Sequence, residues 1–527
     1  MAPPRLSTRF TLFALLSIAF SCVLSQENAK QGVGSGAKLL YDTHCAACHG
    51  PDRLGLMGPA LLPENLSRLR QPEAAKVMRE GRVATQMPGF ADKLSAAELQ
   101  SLLAHIYAPV SPAPRWTEAE IRASRVVHHA PGSLPGRPAY TADPMNLFLV
   151  VEAGDHHVTV LDGDRLEPIH RFPSRYALHG GPKFTPDGRY VFFASRDGWI
   201  SKFDLWNLKT VAEVRAGINT RNAAVSGDGK WVMVANYLPH TLVLLDAELN
   251  LVKVLEARDH RGQASSRVSA VYDAAPRRSF VAAMKDIPEV WEISYDEKAE
   301  PIATGLVHDF RLREGSFIPG RFNPRRSLLE DVLDDFYFTA DYSQVMGASR
   351  QGRAQVVQLD VRRKIAELEL AGMPHLGSGI AWDWQGRRVM ATPNLKEGVV
   401  SVIDVATWRT LRQIPTLGPG FFIRSHEASR YAWVDAMMSP HRDTLQVIDK
   451  RTLEVVARLR PEPGKTLAHV EFSRDGRRAL ASLWEMDGAL IVYDAETLAE
   501  VKRIPMRKPV GKYNVHNKVN RSEGTSH

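Results

Sequence analysis

Val158-Thr159-Val160-Leu161-Asp162, Leu242-Val243-Leu244-Leu245-Asp246, Val400-Ser401-Val402-Ile403-Asp404 and Gln446-Val447-Ile448-Asp449 are copies of one phrase, an apolar run ending in aspartate. Each is followed by a few polar residues with a leucine or threonine and then by another apolar run. Asp-Gly and Pro-Asp-Gly turns punctuate the stretches between them. Such runs read as short strands joined by tight turns. Aligned on the terminal aspartate, the phrase recurs at Asp162, Asp204, Asp246, Asp296, Asp360, Asp404, Asp449 and Asp494, at intervals of 42, 42, 50, 64, 44, 45 and 45 residues. A period in the low-to-middle forties built from four strands is the signature of a β-propeller, and eight units predict eight blades over residues 139–527. An unclosed solenoid or a sandwich does not repeat at this length. The long interval carries extra sequence, which we place at Pro319 to Asp335, in a turn of the fifth blade.

Before the repeats the character of the chain changes. Pro109, Pro112, Pro114, Pro131, Pro135 and Pro138 forbid one continuous helix, so residues 108–138 read as a connector. Residues 26–107 read as a small α-helical domain, with helical spacing over Gly36 to Thr43, Pro72 to Glu80 and Ser95 to Ile106. The last opens on the capping-box pattern Ser95-Ala96-Ala97-Glu98. Two domains of unequal size suit a chain of 527 residues, which exceeds what one core organises.

The helical domain contains Cys45-Ala46-Ala47-Cys48-His49. In this spacing two thiols add to haem vinyl groups while the adjacent histidine reaches the iron from the same turn. A redox dithiol or half of a zinc site would not need the immediate histidine, and no second cysteine pair is present to complete a zinc site. The motif therefore predicts covalent haem c and, with three helices, a class I cytochrome c domain. Methionine is the sixth ligand suited to electron transfer. Met57, 8 residues after His49, has a short loop to cross the haem; Met87, 38 residues after it in Gln86-Met87-Pro88-Gly89-Phe90, is the expected ligand.

At the extreme N-terminus Arg5 and Arg9 precede the apolar stretch Phe10 to Phe20 and the small or apolar residues Val23-Leu24-Ser25. This reads as a signal peptide over residues 1–25, with lipid attachment through Cys22 as the alternative. The expectation is an exported, periplasmic protein without a membrane span. Removing the two arginines lowers the formal charge from +8 to +6, and no polybasic block points to nucleic acid.

Repeat phase also predicts proximity, because residues just before each innermost strand converge on one mouth of a propeller. His179 precedes Phe184 by five residues, His375 precedes Trp382 by seven and His469 precedes Phe472 by three; Arg221 and Arg267 precede Val225 and Val271 by four. If Pro319 to Asp335 is the insertion, His308 joins this phase. One such histidine alone reads as a blade-to-blade hydrogen bond. The set reads as a pocket for an iron macrocycle bearing carboxylates, since imidazole ligates iron and arginine pairs with carboxylates.

A haem c domain followed by an eight-bladed propeller, with Arg175-Tyr176-Ala177-Leu178-His179, Asp204-Leu205-Trp206 and Gly511-Lys512-Tyr513-Asn514-Val515, resembles the cytochrome cd1 nitrite reductase family from about Leu39 to the C-terminus. The resemblance implies that His179 is the proximal ligand of haem d1, with Arg175, Arg221 and Arg267 around the macrocycle, and that His375 is a distal histidine. The chain departs from the reductases at Met284-Lys285-Asp286-Ile287-Pro288-Glu289-Val290, where they carry a His-Glu-His-Pro-Glu-Phe-like segment. It departs again at His469, and His308-Asp309 is an insecure counterpart of the second distal histidine. These departures, the inserted segment and the tail Glu523-Gly524-Thr525-Ser526-His527 are more similar to the paralogues that finish haem d1 biosynthesis. That likeness implies non-covalent binding of dihydro-haem d1 as substrate and oxidation of its propionate to the acrylate. It also implies electrons passing to haem c and on to a soluble acceptor, and nitrite reductase as recipient of the product. His375 and His469, with His308 as a further candidate, would supply the base and the orienting group in an order left open. Nitrite reduction and non-catalytic carriage of haem d1 are the alternatives.

Overall fold

The structure is a computed structural model. It describes residues 36–521 apart from 57, 68, 83–86, 113, 310–313, 350–352 and 371. The expected signal segment with Cys22, the residue Met57 and the tail 523–527 lie outside the described residues. The chain divides after Pro114 into two compact units.

The first unit is helical: 36–44, Ala46–His49, Pro63–Leu66, Gln71–Glu80 and Ala96–Tyr107. The predicted capping box is formed, with Glu98 N–H donating to the Ser95 hydroxyl and Ser95 N–H to the Glu98 carboxylate. Two orphan backbone donors are thereby satisfied at the helix start. Leu102, Leu103 and Ile106 recur at helical spacing and pack against Ala74 and Met78 of the Gln71–Glu80 helix, with Tyr41 and Phe90 closing the core.

The second unit is a propeller of eight antiparallel sheets. Blade 1 combines Leu147–Glu152, His157–Asp162 and Glu167–Pro173 with an innermost strand from the other end of the chain, Pro509–Asn514. The register Phe148↔Asn514 to Val151↔Gly511 closes the ring and leaves it no open sheet edge at the seam. The innermost strands of blades 2 to 8 are Lys183–Phe184, Asn219–Val225, Val268–Ala274, Asp335–Phe338, Ile380–Trp384, Ile423–Arg424 and Leu467–Phe472. After the closing strand, Asn514 caps a short helix, Val515–Val519. The core lies between blades: Phe192, Ile200 and Val214 of blade 2 interleave with Val225, Val234 and Val243 of blade 3, and the pattern continues around the ring.

The recurring aspartate ends or follows the third strand of each blade. Its carboxylate accepts backbone N–H groups of the next turn, as at Asp162 from Asp164 and Arg165, and at Asp404 from Ala406 and Thr407. The turn then passes through a left-handed residue, Leu166, Leu208, Trp408, Leu453 or Leu498, four positions after its aspartate. Here the phrase is a hydrogen-bonded turn device. At Asp204 it is buried completely and also binds Arg189 at 2.8 Å and the Asn207 side chain at 2.9 Å. Asp204→Ala would strand a mostly buried guanidinium. It is expected to cost the propeller about 3 kcal/mol, read from the midpoint of its denaturant transition.

Two expectations are corrected. The insertion is not Pro319 to Asp335 in blade 5 but the hairpin Ile302–Asp309 with Glu314–Ile318, set between the third and fourth strands of blade 4. Pro324–Leu328 is the outer strand of blade 4, and Asp335 opens the inner strand of blade 5. The connector 108–138 is also shorter than expected. From Arg115 on, the chain belongs to the propeller unit. Trp116 donates to the Arg215 carbonyl at 2.8 Å, Ile121 is buried in the core of blades 2 and 3, and Val126–Val127 adds a fifth strand to blade 2.

Candidate functional site

In the helical unit, Cys45, Cys48 and His49 sit on one turn, with Cys48 and His49 N–H both directed at the Cys45 carbonyl, at 3.1 and 2.9 Å. Cys45 and Cys48 are both half-buried and are not joined in a disulfide. His49 is buried and held below the usual histidine range by that burial. Its Nδ1 lies 2.8 Å from the Pro59 carbonyl. Nδ1 is thus the donor nitrogen and Nε2 carries the lone pair a metal needs. Gly58 is packed on this ring so closely that a Cβ there would fall 2.7 Å from Cε1. Met87 packs, partly buried, against the same core as Cys45, and its carbonyl accepts Arg82 N–H at 3.1 Å. Two thiols, one neutral imidazole with a preset tautomer and a thioether lining the same core fit a covalent haem c.

In the propeller, His179, Arg267 and His375 stand just before the inner strands of blades 2, 4 and 6, at one mouth of the central channel. Arg221 and His469 reach the same mouth from within strands, because each is the extra residue of a β-bulge. Register slips at Arg221 between Ala235 and Asn236 of the partner strand, and at His469 between Ala468 and Val470; His469 has φ +53°. Bulges re-aim side chains out of the ladder, and these two aim into the site.

The two sides of the mouth differ in chemistry. On blades 2 to 4 the Nδ1 of His179 is 2.7 Å from the Arg221 carbonyl, and Arg196 approaches its Nε2 at 3.0 Å. Burial, then the Arg196 and Arg221 charges, hold this imidazole well below the ordinary range, so it is neutral. Around the ring of Tyr237 lie Lys285 at 5.4 Å, Arg267 at 5.6 Å and Arg196 at 5.7 Å. Burial pushes the Tyr237 phenol up, but Arg221, Lys285 and Arg196 outweigh it and bring the group below its usual value. Arg267 and Lys285 are balanced by Asp286 and Asp334, so the excess positive charge of this half comes from Arg196 and Arg221.

On blades 6, 7, 8 and 1 the lining is aromatic and imidazole. His375 directs Nδ1 at the Phe421 carbonyl at 2.6 Å, and its ring packs 4.1 Å from the Phe421 ring at a tilt of 49°. Phe422 stands between His375, at 6.1 Å, and His469, at 4.7 Å, and Tyr513 flanks His469 at 5.4 Å. His469 is buried, and its Nδ1 has no hydrogen-bond partner among the described residues. Burial lowers both histidines below the usual range, His469 strongly. Lys512 holds the His469 carbonyl and the Ser482 hydroxyl from beneath.

Sequence phase therefore brings His179, Arg221, Arg267, His375 and His469 to one mouth. It fails for His308, which is exposed on the inserted hairpin of blade 4, because the insertion precedes Pro319 instead of following it. Arg175 has its guanidinium committed to Glu213 at 2.8 Å and stacked 3.8 Å over Trp199, as a strut of blade 2. Arg267 is similarly matched by Asp286 at 2.6 Å and Lys285 by Asp334, which leaves Arg196 and Arg221 closest to a carboxylate-binding role. Arg196, Tyr237 and Lys285 were not anticipated. Their signal was the same phase rule applied to the loops after the second strands, which end at this mouth as well. Phe421 and Phe422 line it from just before the inner strand of blade 7, and Tyr513 from within that of blade 1.

A c-type haem motif on a helical domain and a histidine-bearing mouth on an eight-bladed propeller define a class. Residues 142–518 match the Cytochrome D1 heme domain family, and residues 34–106 match the family described as Cytochrome C oxidase, cbb3-type, subunit III. The chain belongs to the Cytochrome D1 heme domain family. Within it, the chain is 56% identical to the dihydro-heme d1 dehydrogenase of Pseudomonas aeruginosa over 501 residues, 95% of this chain and 97% of that protein. The solved structure described as dihydro-heme d1 dehydrogenase NirN in complex with DHE matches with a TM-score of 0.80 at 56% identity, over 92% of this chain and 100% of that one. The nitrite reductase of Stutzerimonas stutzeri is 24% identical over 544 residues, 92% of this chain and 93% of that protein. Among the described residues no helix is long and apolar enough to cross a membrane.

Proposed function

We propose that this protein is a periplasmic dihydro-haem d1 dehydrogenase. The reading rests on the 56% identity over nearly the full length to a protein of that name, joined to the haem-attachment turn and the split propeller mouth described above. The reaction removes one hydrogen from each of two adjacent carbons of a propionate chain. Two C–H bonds break, one C=C bond forms, and two protons and two electrons leave. Haem c, which Cys45, Cys48, His49 and Met87 would hold, would supply a one-electron sink for these two electrons, with a soluble acceptor beyond it.

His179, neutral and with Nε2 free of a proton, binds the iron of the substrate. Arg196 and Arg221 hold its carboxylates, and the positive charge they place on that half fixes which way round the macrocycle enters. The aromatic walls Phe421 and Phe422 exclude water on the other half. His375 and His469 are the groups able to take a proton or orient the chain there, both neutral because both are buried. The product, haem d1, then leaves for a nitrite reductase.

Adding dihydro-haem d1 to the oxidised protein tests the reading. Haem c should become reduced while the tetrapyrrole spectrum shifts to that of haem d1. Haem c that stays oxidised would refute a dehydrogenase, and rapid turnover of nitrite in the same cell would put a reductase in its place. His375→Gln is expected to slow the oxidation by about 10²-fold while leaving the spectral binding titration unchanged. Because burial lowers the His375 pKa, the wild-type rate should hold as pH falls through the ordinary histidine value of about 6.5 and drop only below it.

A further inference from the structure

The central channel has a second end. Where the inner strands finish, opposite the histidine mouth, the propeller encloses a cavity of about 510 Å³. That volume is in the range of pockets that bury a small organic ligand. Its walls come from the ends of the inner strands of blades 2 to 5, with the Val515–Val519 helix and the residues after it on one side, and Leu376, Gly377 and Gly379, which follow His375, complete the lining. The lining is rich in aromatic rings, among them Phe184, Phe336, Tyr337 and Tyr342.

The charges in this cavity do not balance. The lining contains three cations, Lys183, Lys518 and Arg521, and one carboxylate, Asp273. Asp273 is already taken, bonded to Arg521 and accepting the Tyr295 hydroxyl at 2.9 Å. Lys518 has Glu471 at 3.5 Å. Lys183 has only the Gly180 carbonyl, at 2.9 Å, and no carboxylate pairs with it among the described residues. Burial, then the neighbouring charges of Lys518 and Arg221, press its ammonium down to about 7. A deep ammonium placed beside two other cations is costly unless an anion shares the space.

We propose that this lower cavity is a second binding site, for an aromatic monocarboxylate whose acid group meets Lys183 and whose ring lies among Phe184, Phe336 and Tyr337. The site does not rest on the dehydrogenase reading. A tetrapyrrole is excluded by its several carboxylates, for which the cavity has one unmatched cation. A bare inorganic anion would leave the aromatic walls unused.

Titration of the full-length protein carrying haem c with 2-naphthoate, followed by the fluorescence of the probe, tests this. One saturable site per chain is expected. Lys183→Met should weaken it at least tenfold, about 1.4 kcal/mol, and Lys183→Arg should keep it. On the wild-type protein the neutral 2-naphthamide and the ringless acetate should each bind at least tenfold more weakly, a comparison that needs no variant to fold. Unchanged affinity in Lys183→Met, or naphthamide or acetate binding as well as naphthoate, would overturn the proposal. So would affinity lost in His179→Ala and retained in Lys183→Met, since the probe would then occupy the upper mouth.

Discussion

Replacing His179 by alanine is expected to weaken tetrapyrrole binding by about 100-fold or more, and to do so without disturbing haem c. Loss of groups that merely support a metal ligand costs about 10 to 100-fold in metal affinity, so loss of the ligand itself sets a higher floor. The structure adds a specific reason for a large effect. His179 is preset for iron: its Nδ1 is tied to the Arg221 carbonyl, its burial beside Arg196 and Arg221 keeps it neutral, and Nε2 carries the lone pair, from which Arg196, at 3.0 Å, would have to withdraw. Spectral titration with haem d1 measures the loss, and added imidazole should restore part of the binding by entering the space the side chain vacates. If affinity in His179→Ala stays within threefold of wild type, the iron is held elsewhere, and His375 becomes the next candidate.

The double substitution Cys45→Ala with Cys48→Ala is expected to abolish the oxidation altogether. Both thioether bonds are lost, and His49 alone cannot retain a haem through denaturation. Haem staining of a denaturing gel should therefore be negative. The propeller is a separate compact unit, so it should fold and bind dihydro-haem d1 as before. The expected result is a protein that takes up substrate and leaves it unoxidised. This pattern separates an electron sink from a structural haem, because a merely structural loss would remove binding as well. Oxidation that persists at the wild-type rate would show that electrons leave the substrate by a route independent of Cys45 and Cys48.

These two variants probe sites of different legibility. The haem-attachment turn could be read directly, because Cys45, Cys48 and His49 are adjacent in the chain and their chemistry requires that adjacency. The number of blades was equally local in origin. Each aspartate from Asp162 to Asp494 marks the turn after a third strand, and counting turns counts blades. The pocket residues were only half legible. His179, Arg267 and His375 precede their inner strands, so repeat phase placed them correctly. Arg221 and His469 were placed at the right mouth for an incomplete reason, since each gets there by a bulge that leaves little trace in composition.

What the sequence determined by itself is whatever depends on neighbours along the chain: covalent haem c at Cys45, Cys48 and His49, the capped helix after Ser95, and an eight-fold propeller. What only the tertiary structure decided is whatever depends on strand order and on charges brought together from different blades. The insertion belongs to blade 4 because Pro324–Leu328 pairs with Glu289–Ser294, a pairing across a hairpin that no periodicity reveals, and His308 leaves the site with it. Arg175, an expectation of the family resemblance and not of repeat phase, pairs with Glu213 at 2.8 Å. The division of the mouth into a cationic and an aromatic half exists only once the ring is closed by Pro509–Asn514 against Leu147–Glu152. Electrostatics act through space, and the ring sets the distances.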